Sequence, residues 1–141
     1  PEAQVVLPML HDELAPLLRS AADGALSTAS CAHTVVPHVG VVLASAGYPG
    51  TYETGAVISG LDEVKKLEDT FVFHAGTAWR DGSVVTAGGR VLTVVGRGAD
   101  FTTAIRRAYE AEQRITFVGK QVRTDIGQKA VREIAAHNKD R

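Results

Sequence analysis

Seven consecutive residues, 39–45, read VGVVLAS and carry apolar or small side chains at every position. Successive side chains of a strand point to opposite faces, so this run is apolar on both of its faces. A half-exposed strand would alternate apolar and polar residues instead. The run therefore predicts a central strand covered on both sides, which requires a sheet packed by other elements.

The predicted strand ends in residues 44–50, ASAGYPG, where one aromatic residue stands between glycines and a proline. Gly47 and Gly50 can adopt positive φ and Pro49 fixes its own φ, so the stretch can be a plain turn. The other interpretation is that the end of the strand forms the rim of a ligand cleft. The local chemistry favours the plain turn, because glycine and proline are the commonest loop signals.

Helical spacing of apolar residues predicts two main helices. One covers most of residues 2–22, but Pro8 and Pro16 interrupt it. We therefore expect a late start near Pro8, a kink, or two short helices. The other helix is the clearest in the chain, at 99–117, with Asp100 as its N-cap.

Shorter segments connect these elements. Residues 62–68, DEVKKLE, begin with acidic residues that suit the positive end of a helix dipole, and they predict two helical turns. The polar tail at 128–141 predicts a short helix that frays. Residues 27–34, STASCAHT, are expected to form a loop that carries no chemistry.

Two β-rich runs flank Asp81-Gly82, a dipeptide that is typical of a hairpin turn. We expect the helix at 100–115 to pack against the sheet and the first helix to lie outside it. The predicted fold class is α+β, mainly an antiparallel sheet packed by helices. The predicted strands are 39–46, 70–79, 83–87 and 90–97.

Composition excludes several classes of protein. A chain of 141 residues is long enough for one domain with a core. Its 15 basic and 16 acidic side chains give a net charge of −1, so no overall field attracts nucleic acid or an anionic membrane. Cys31 is the single cysteine, which excludes an internal disulfide and is consistent with the cytoplasm. The five scattered histidines do not predict a metal site.

Two further segments carry candidate binding residues. His74, in FHAGT, stands at a predicted strand end, where a hydrogen-bonded structural histidine is the better interpretation and a site residue the other. The segment 88–90, GGR, offers two adjacent backbone amides beside a planar cation, which is what a phosphate or carboxylate requires. A bulge in a β-hairpin with a solvated arginine explains the same residues equally well.

The chain contains, in this order, the segments PEAQVVLP, VVLASAGYPG, ISGLDEVKKLEDTFVFHAGT, GGRVLTVVGRG and AIRRAYEAEQRITFVGKQVRTDIG. In order and spacing they resemble the C-terminal third of the phosphoribosylamine–glycine ligase family, also called glycinamide ribonucleotide synthetase. The resemblance extends over about residues 1–127. It implies an ATP-grasp enzyme that joins glycine to 5-phosphoribosylamine through a glycyl phosphate, in the second step of de novo purine synthesis.

The resemblance also implies how the chain is organised. ATP and magnesium would be bound mainly by family segments that come before this sequence, so we expect a cytoplasmic fragment that is inactive alone. Its parts would be the last helix of the ATP-grasp unit (1–26), the C-terminal domain (27–127) and a polar tail (128–141). Its partners would be the missing N-terminal and ATP-grasp domains, with glycine and 5-phosphoribosylamine as substrates and without nucleic acid or membrane.

In the family the C-terminal domain helps to wall the active-site cleft, so the resemblance makes the glycine-rich segments candidate rim elements. The substrate-binding candidates are Gly47, Tyr48, Pro49, Gly50, His74, Gly76, Thr77, Gly88, Gly89 and Arg90. No catalytic residue and no metal ligand is expected within the chain. The alternative interpretation is a non-catalytic interdomain module or a stand-alone binding module.

Overall fold

The fold is taken from a computed structural model, which describes residues 2–26 and 32–137. Cys31 and most of the loop predicted at 27–34 lie outside the described residues. The elements are α1 (Glu2–Val6), a 3₁₀ turn (Leu7–Met9), α2 (Leu14–Ala22), β1 (His38–Ala44), α3 (Leu61–Val64), β2 (Thr70–His74), β3 (Thr77–Arg80), β4 (Ser83–Thr86), β5 (Arg90–Arg97), α4 (Phe101–Arg114) and α5 (Gln128–His137).

The strands form two antiparallel sheets, which confirms the α+β class. One sheet has the order β1-β5-β2, and the other is the hairpin β3-β4 that turns at Asp81-Gly82.

The prediction of a single strand at 70–79 is wrong, because the chain passes from one sheet to the other within this segment. Gly76 N–H donates to the carbonyl of Arg90 at the start of β5, and its own carbonyl accepts from Ala87 N–H just after β4. Gly76, which lies between the end of β2 at His74 and the start of β3 at Thr77, is thus hydrogen-bonded to both β5 and the segment after β4.

Strand β1 lies at an edge of its sheet, so the prediction of a central strand at 39–45 is wrong, and β5 is central instead. Both apolar faces of this edge strand are nevertheless covered by other elements. Helix α4 packs on one face, and Val5 of α1 lies over Gly40 on the other. At the outer edge, Ala44 exchanges two backbone hydrogen bonds of 2.9 and 2.8 Å with Gln121.

Helix α4 agrees with the predicted span 100–115 and supplies the core with its apolar stripe. The Asp100 carboxylate accepts a 2.6 Å hydrogen bond from Thr103 N–H, as an N-cap should, and this bond lowers the pKa of Asp100. Ala104 and Ala108 of α4 face Gly96 of β5, where a Cβ would lie 2.3 Å from the Ala104 carbonyl oxygen. The main core cluster is Leu43, Ile58, Val64, Val91, Leu92, Val94, Ala111, Ile115 and Phe117.

The N-terminal segment forms two short helices, one of the outcomes predicted from its prolines. Pro8 lies in the 3₁₀ turn that ends α1, and Pro16 lies in the first turn of α2, where its missing N–H would have had no helical partner. Helix α1 packs on β1, whereas α2 contributes no buried side chain. None of the described helices is long and apolar enough to cross a membrane.

Helix α3 is shorter than the two turns predicted at 62–68. It ends at Val64, after which Lys66 N–H and Leu67 N–H bond to carbonyls three residues back, at Glu63 and Val64. The chain therefore tightens into 3₁₀-type turns before β2, instead of extending the helix.

Asp69 connects three elements through its carboxylate. It accepts hydrogen bonds from Arg97 at the end of β5 and from Arg107 on α4, and Arg107 also donates to the Arg97 carbonyl at 2.8 Å. Asp69 itself adopts a left-handed conformation, with φ of 56°. The hydrogen bonds from Arg97 are the main cause that lowers the pKa of Asp69 below its usual range.

We predict that Asp69→Asn lowers stability at neutral pH and that the loss disappears in acid. Asparagine tolerates the left-handed conformation, so the change removes the charge with little backbone strain. Because the folded pKa is depressed, the carboxylate stabilises fully above about pH 5 and loses its contribution as pH falls through the folded pKa. The measurement is urea unfolding of both proteins between neutral and acidic pH.

Asp81→Asn is the matched control, since Asp81 is also left-handed, with φ of 49°, but none of the described residues pairs with it. Its stability difference from the native protein should not change with pH. An Asp69→Asn difference that stays constant down to strong acid would contradict the assigned role of the ion pairs.

Candidate functional site

The three predicted rim segments, 46–50, 74–77 and 88–90, are joined by backbone hydrogen bonds at one end of the main sheet. Ser45 N–H donates to the Gly89 carbonyl at 2.8 Å, and the Ser45 hydroxyl donates to the Gly88 carbonyl at 3.0 Å. From the other side, Gly76 N–H donates to the Arg90 carbonyl at 2.9 Å. The turn at 88–90 therefore holds the other two segments in place.

Backbone packing requires glycines at the centre of this arrangement. A Cβ on Gly76 would lie 2.7 Å from both the Arg90 carbonyl oxygen and the Gly88 Cα, and neither backbone atom can move aside easily. These two glycines thus have a structural function that does not depend on any ligand.

The segment 47–51 is a tight turn that presents Tyr48. Gly47 has φ of 87°, and a Cβ there would lie 2.1 Å from the Thr51 carbonyl oxygen. Tyr48 N–H donates to the Ser45 carbonyl at 3.2 Å, and the Tyr48-Pro49 peptide is cis. The plain-turn interpretation is therefore correct for the backbone, and it leaves the Tyr48 side chain at the surface.

Two tyrosine rings pack against Gly89. A Cβ at Gly89 would lie 2.5 Å from Tyr48 Cδ2 and 2.9 Å from Tyr52 Cε1. Gly89 is buried beneath the rings, while each tyrosine is 40% exposed. The sequence analysis did not select Tyr52 as a site residue. A signal was available, because Tyr52 follows Tyr48 by four residues in the same glycine-rich turn.

Two polar side chains at this end have no partner among the described residues. The Arg90 guanidinium is exposed and makes neither an ion pair nor a hydrogen bond there, and the Tyr48 hydroxyl is likewise unbonded. Gly88 is half-buried, whereas the rings cover Gly89. The Arg90 side chain is therefore open to an anion, whereas the Gly88 nitrogen lies close to Gly76 and Gly89 lies beneath the tyrosine rings.

His74 lies at the end of β2 and belongs to a different depression. Its Nδ1 lies 2.9 Å from the Thr77 hydroxyl, so the two predicted residues form a hydrogen-bonded pair. The imidazole is exposed and lines a cleft of about 380 Å³ that Tyr48 and Arg90 do not line. The remaining lining residues are Leu61, Val64, Lys65, Thr70, Val72 and Val84.

A larger cleft of about 670 Å³ opens beside Tyr48. Its other lining residues are Val42, Ala44, Lys120, Gln121, Val122 and Arg123. No group of three His, Cys, Asp or Glu residues within the described ranges could hold a metal ion.

Comparison with known proteins identifies relatives of this chain. The family model described as "Phosphoribosylglycinamide synthetase, C domain" matches residues 38–129. A phosphoribosylamine–glycine ligase of Streptomyces coelicolor is 49% identical over 133 residues, which are 92% of this chain and 32% of that protein. The trifunctional purine biosynthetic protein adenosine-3 of Gallus gallus is 44% identical over 132 residues, 93% of this chain and 13% of that protein.

Among solved structures, a phosphoribosylamine–glycine ligase of Thermotoga maritima superposes with a TM-score of 0.75 at 33% identity. The match covers 89% of this chain and 30% of that one. The chain thus spans about a third of the length of the two bacterial relatives.

We predict that Gly89→Ala displaces both tyrosine rings while the sheet stays folded. The added methyl would overlap the rings, and relieving the overlap should cost about 1–3 kcal/mol of stability. Gly50→Ala is the control in the same turn, since its Cβ would meet only the Gly47 carbonyl oxygen, at 3.2 Å. NMR of the tyrosine ring protons measures the displacement. Unchanged ring resonances in Gly89→Ala would show that Gly89 does not position the tyrosines.

Proposed function

The chain belongs to the phosphoribosylglycinamide synthetase family, and from this premise we propose that it forms the C-terminal part of a phosphoribosylamine–glycine ligase. The complete protein would join glycine to 5-phosphoribosylamine with ATP, through a glycyl phosphate, and yield glycinamide ribonucleotide. The family match over residues 38–129 carries this proposal, and it includes every candidate rim residue. The meeting of the segments 47–50 and 88–90 at one end of the sheet supports it, whereas His74 lines a separate cleft.

In this proposal the rim residues hold 5-phosphoribosylamine. Its 5′-phosphate is remote from the reacting amine, and binding energy from such a group can orient the amine toward the activated glycine carboxyl. Arg90, exposed and unpaired among the described residues, would bind that phosphate. Tyr48, held over the neighbouring Gly89, would contact the ribose. Gly47, Pro49 and Gly50 would keep its turn compact.

No cluster of His, Cys, Asp and Glu among the described residues could hold Mg²⁺. We propose that N-terminal and ATP-grasp domains of the complete protein bind ATP and Mg²⁺, and that ATP supplies the phosphoryl group that activates glycine. Residues 1–26 would belong to the ATP-grasp unit, 27–127 to the C-terminal domain and 128–141 to a polar tail. The unburied surface of α2 supports the first of these assignments.

A non-catalytic interdomain module is the second candidate. It is favoured by the close packing of Gly76 on Gly88, because backbone contact alone accounts for both glycines. In that case the rim segments would stabilise the fold and an interdomain interface, and Arg90 would be a solvated side chain.

A chimera tests the proposal. Residues 1–141 would replace the matching third of the Streptomyces coelicolor ligase, to which the chain is 49% identical. We expect ADP release that requires both glycine and 5-phosphoribosylamine, and no activity from the 141-residue chain alone. A chimera that folds and binds ATP but releases no ADP would support the module instead.

We predict that Arg90→Ala in this chimera impairs use of 5-phosphoribosylamine selectively. Loss of a charge-assisted contact should cost about 2–3 kcal/mol, which lowers kcat/KM for that substrate roughly 30- to 150-fold. The KM values for ATP and glycine should stay nearly unchanged. Tyr48→Phe should have a smaller effect, because the ring remains.

Arg80→Ala is the matched control, since Arg80 is also exposed and unpaired among the described residues but lies in the β3-β4 hairpin. Melting temperatures are measured on the same preparations. A lower melting temperature of Arg90→Ala with normal 5-phosphoribosylamine kinetics would end the proposal that Arg90 binds phosphate.

A further inference from the structure

The outer edge of β2 is open and carries none of the features that protect the edges of other strands. Gln121 closes the outer edge of β1, and the segment 55–58 bonds along β4. β3 has only four residues and ends in Arg80, and a charged side chain at an edge discourages further pairing. β2 contains no proline, lysine or arginine, and its register with β5 is regular. It can therefore accept another strand.

The hydrogen-bond pattern of β2 leaves every second residue with free backbone groups. At the two ends of the strand, Asp69 accepts a bond from β5 at 2.8 Å and Ala75 donates one to β5 at 3.0 Å. In an antiparallel pair, residues that bond to the neighbouring strand alternate with residues whose N–H and C=O point away from it. Thr70, Val72 and His74 therefore direct both groups outward, where no backbone group of the described residues bonds to them.

The sequence of this strand is nearly a palindrome about Val72. Residues 70–74 read TFVFH, with one phenylalanine on each side of the valine. If the strand meets a copy of itself in antiparallel orientation about Val72, residue 71 lies opposite residue 73, and residue 70 lies opposite residue 74. The outward N–H and C=O groups of Thr70, Val72 and His74 then all find partners on the copy. The strand is thus complementary to itself.

The two phenylalanines match each other across this pairing. Both are half-buried and lie on the face of the sheet opposite α4. Phe71 stacks on His38 of β1, with ring centroids 6.3 Å apart, which fixes the position of its ring. Phe71 of one copy would face Phe73 of the second copy in a pair without backbone hydrogen bonds, where Cα atoms are about 4.5 Å apart. Aromatic pairs at such positions stabilise a sheet.

The face toward α4 offers apolar surface at the same edge. The cleft of about 380 Å³ lies along β2 on this face, and Leu61 and Val84 contribute to its apolar lining. Val72 points to this face as well, because it pairs with Val94 of the core. A second β2 would bring its own Val72 beside the first, so part of this apolar surface would be removed from water.

We propose that two copies of this chain associate through β2, antiparallel about Val72, and so join their main sheets into one continuous sheet. The free backbone groups require a strand as the partner, and the palindrome identifies that strand as a second β2. A two-fold axis then passes between the two Val72 residues. The surface includes neither Tyr48 nor Arg90, so the inference does not depend on the proposed ligase reaction.

Sedimentation velocity of the purified 141-residue chain at increasing concentrations tests the association. We expect a monomer–dimer equilibrium, and Phe73→Lys should abolish the dimer, because a charge replaces an aromatic partner at the edge. The variant should fold, since the stem of a lysine can cover the surface that the half-buried ring leaves, and circular dichroism checks this. Leu18→Lys is the matched control, because Leu18 is 60% exposed but lies on α2. Its dimer should persist.

Cysteine crosslinking tests the register, in a chain whose own cysteine is replaced by Cys31→Ser. Val72→Cys should form a covalent dimer on mild oxidation, because Cα atoms of a hydrogen-bonded antiparallel pair are about 5.5 Å apart, which a disulfide can span. Thr70→Cys should not, since the two cysteines would lie four residues apart along the paired strands, roughly 13 Å.

Three results would overturn the proposal. The first is a chain that stays monomeric up to about 1 mM, since an association too weak to appear there is not specific pairing. The second is a dimer that survives Phe73→Lys but is lost in Leu18→Lys, which would place the contact on α2. The third is crosslinking of Thr70→Cys that is as fast as that of Val72→Cys, which would exclude pairing about Val72.

Discussion

The close approach of β5 to α4 is the constraint on which the rest of the structure depends. At Gly96 a Cβ would lie 2.3 Å from the Ala104 carbonyl oxygen and 2.5 Å from Ala108 N, so strand and helix meet backbone to backbone. β5 is also the strand that pairs with both β1 and β2. Its position relative to α4 therefore sets the depth of the core and the place of both neighbouring strands.

The candidate site depends on the same strand at its other end. Ser45 and Gly76 both bond to residues 88–90, where β5 begins, so the turn that carries Tyr48 and the break between β2 and β3 are fixed to one short segment. Arg90 is the first residue of that strand. Its backbone is thus held rigidly while its side chain is free, which suits a residue that binds a charged group.

Much of this arrangement was predictable from periodicity and turn residues. The helix at α4, its N-cap Asp100 and the hairpin at Asp81-Gly82 follow from local signals, and local signals do not require knowledge of the rest of the chain. The central position of β5 could not be predicted from the sequence, because an apolar run such as 39–45 indicates that a strand is buried but not where it lies in the sheet. The division at Gly76 was also missed, since only the approach of Gly88 explains it. Tyr52 stands in the same glycine-rich turn as Tyr48, but its packing against Gly89 depends on a distant segment and could not be predicted from the turn alone.

The central place of β5 has a consequence for how the chain acquires its structure. β1 pairs with β5 across about fifty intervening residues, and no strand between them hydrogen-bonds to β1. The apolar run of β1 is therefore synthesised well before β5, and until then no strand is available to pair with it. Until β5 is available, β1 is an unpaired apolar strand, a kind of segment that can pair wrongly with other chains. The main sheet can form only after Arg90–Arg97 has been synthesised, because this central strand pairs with both β1 and β2.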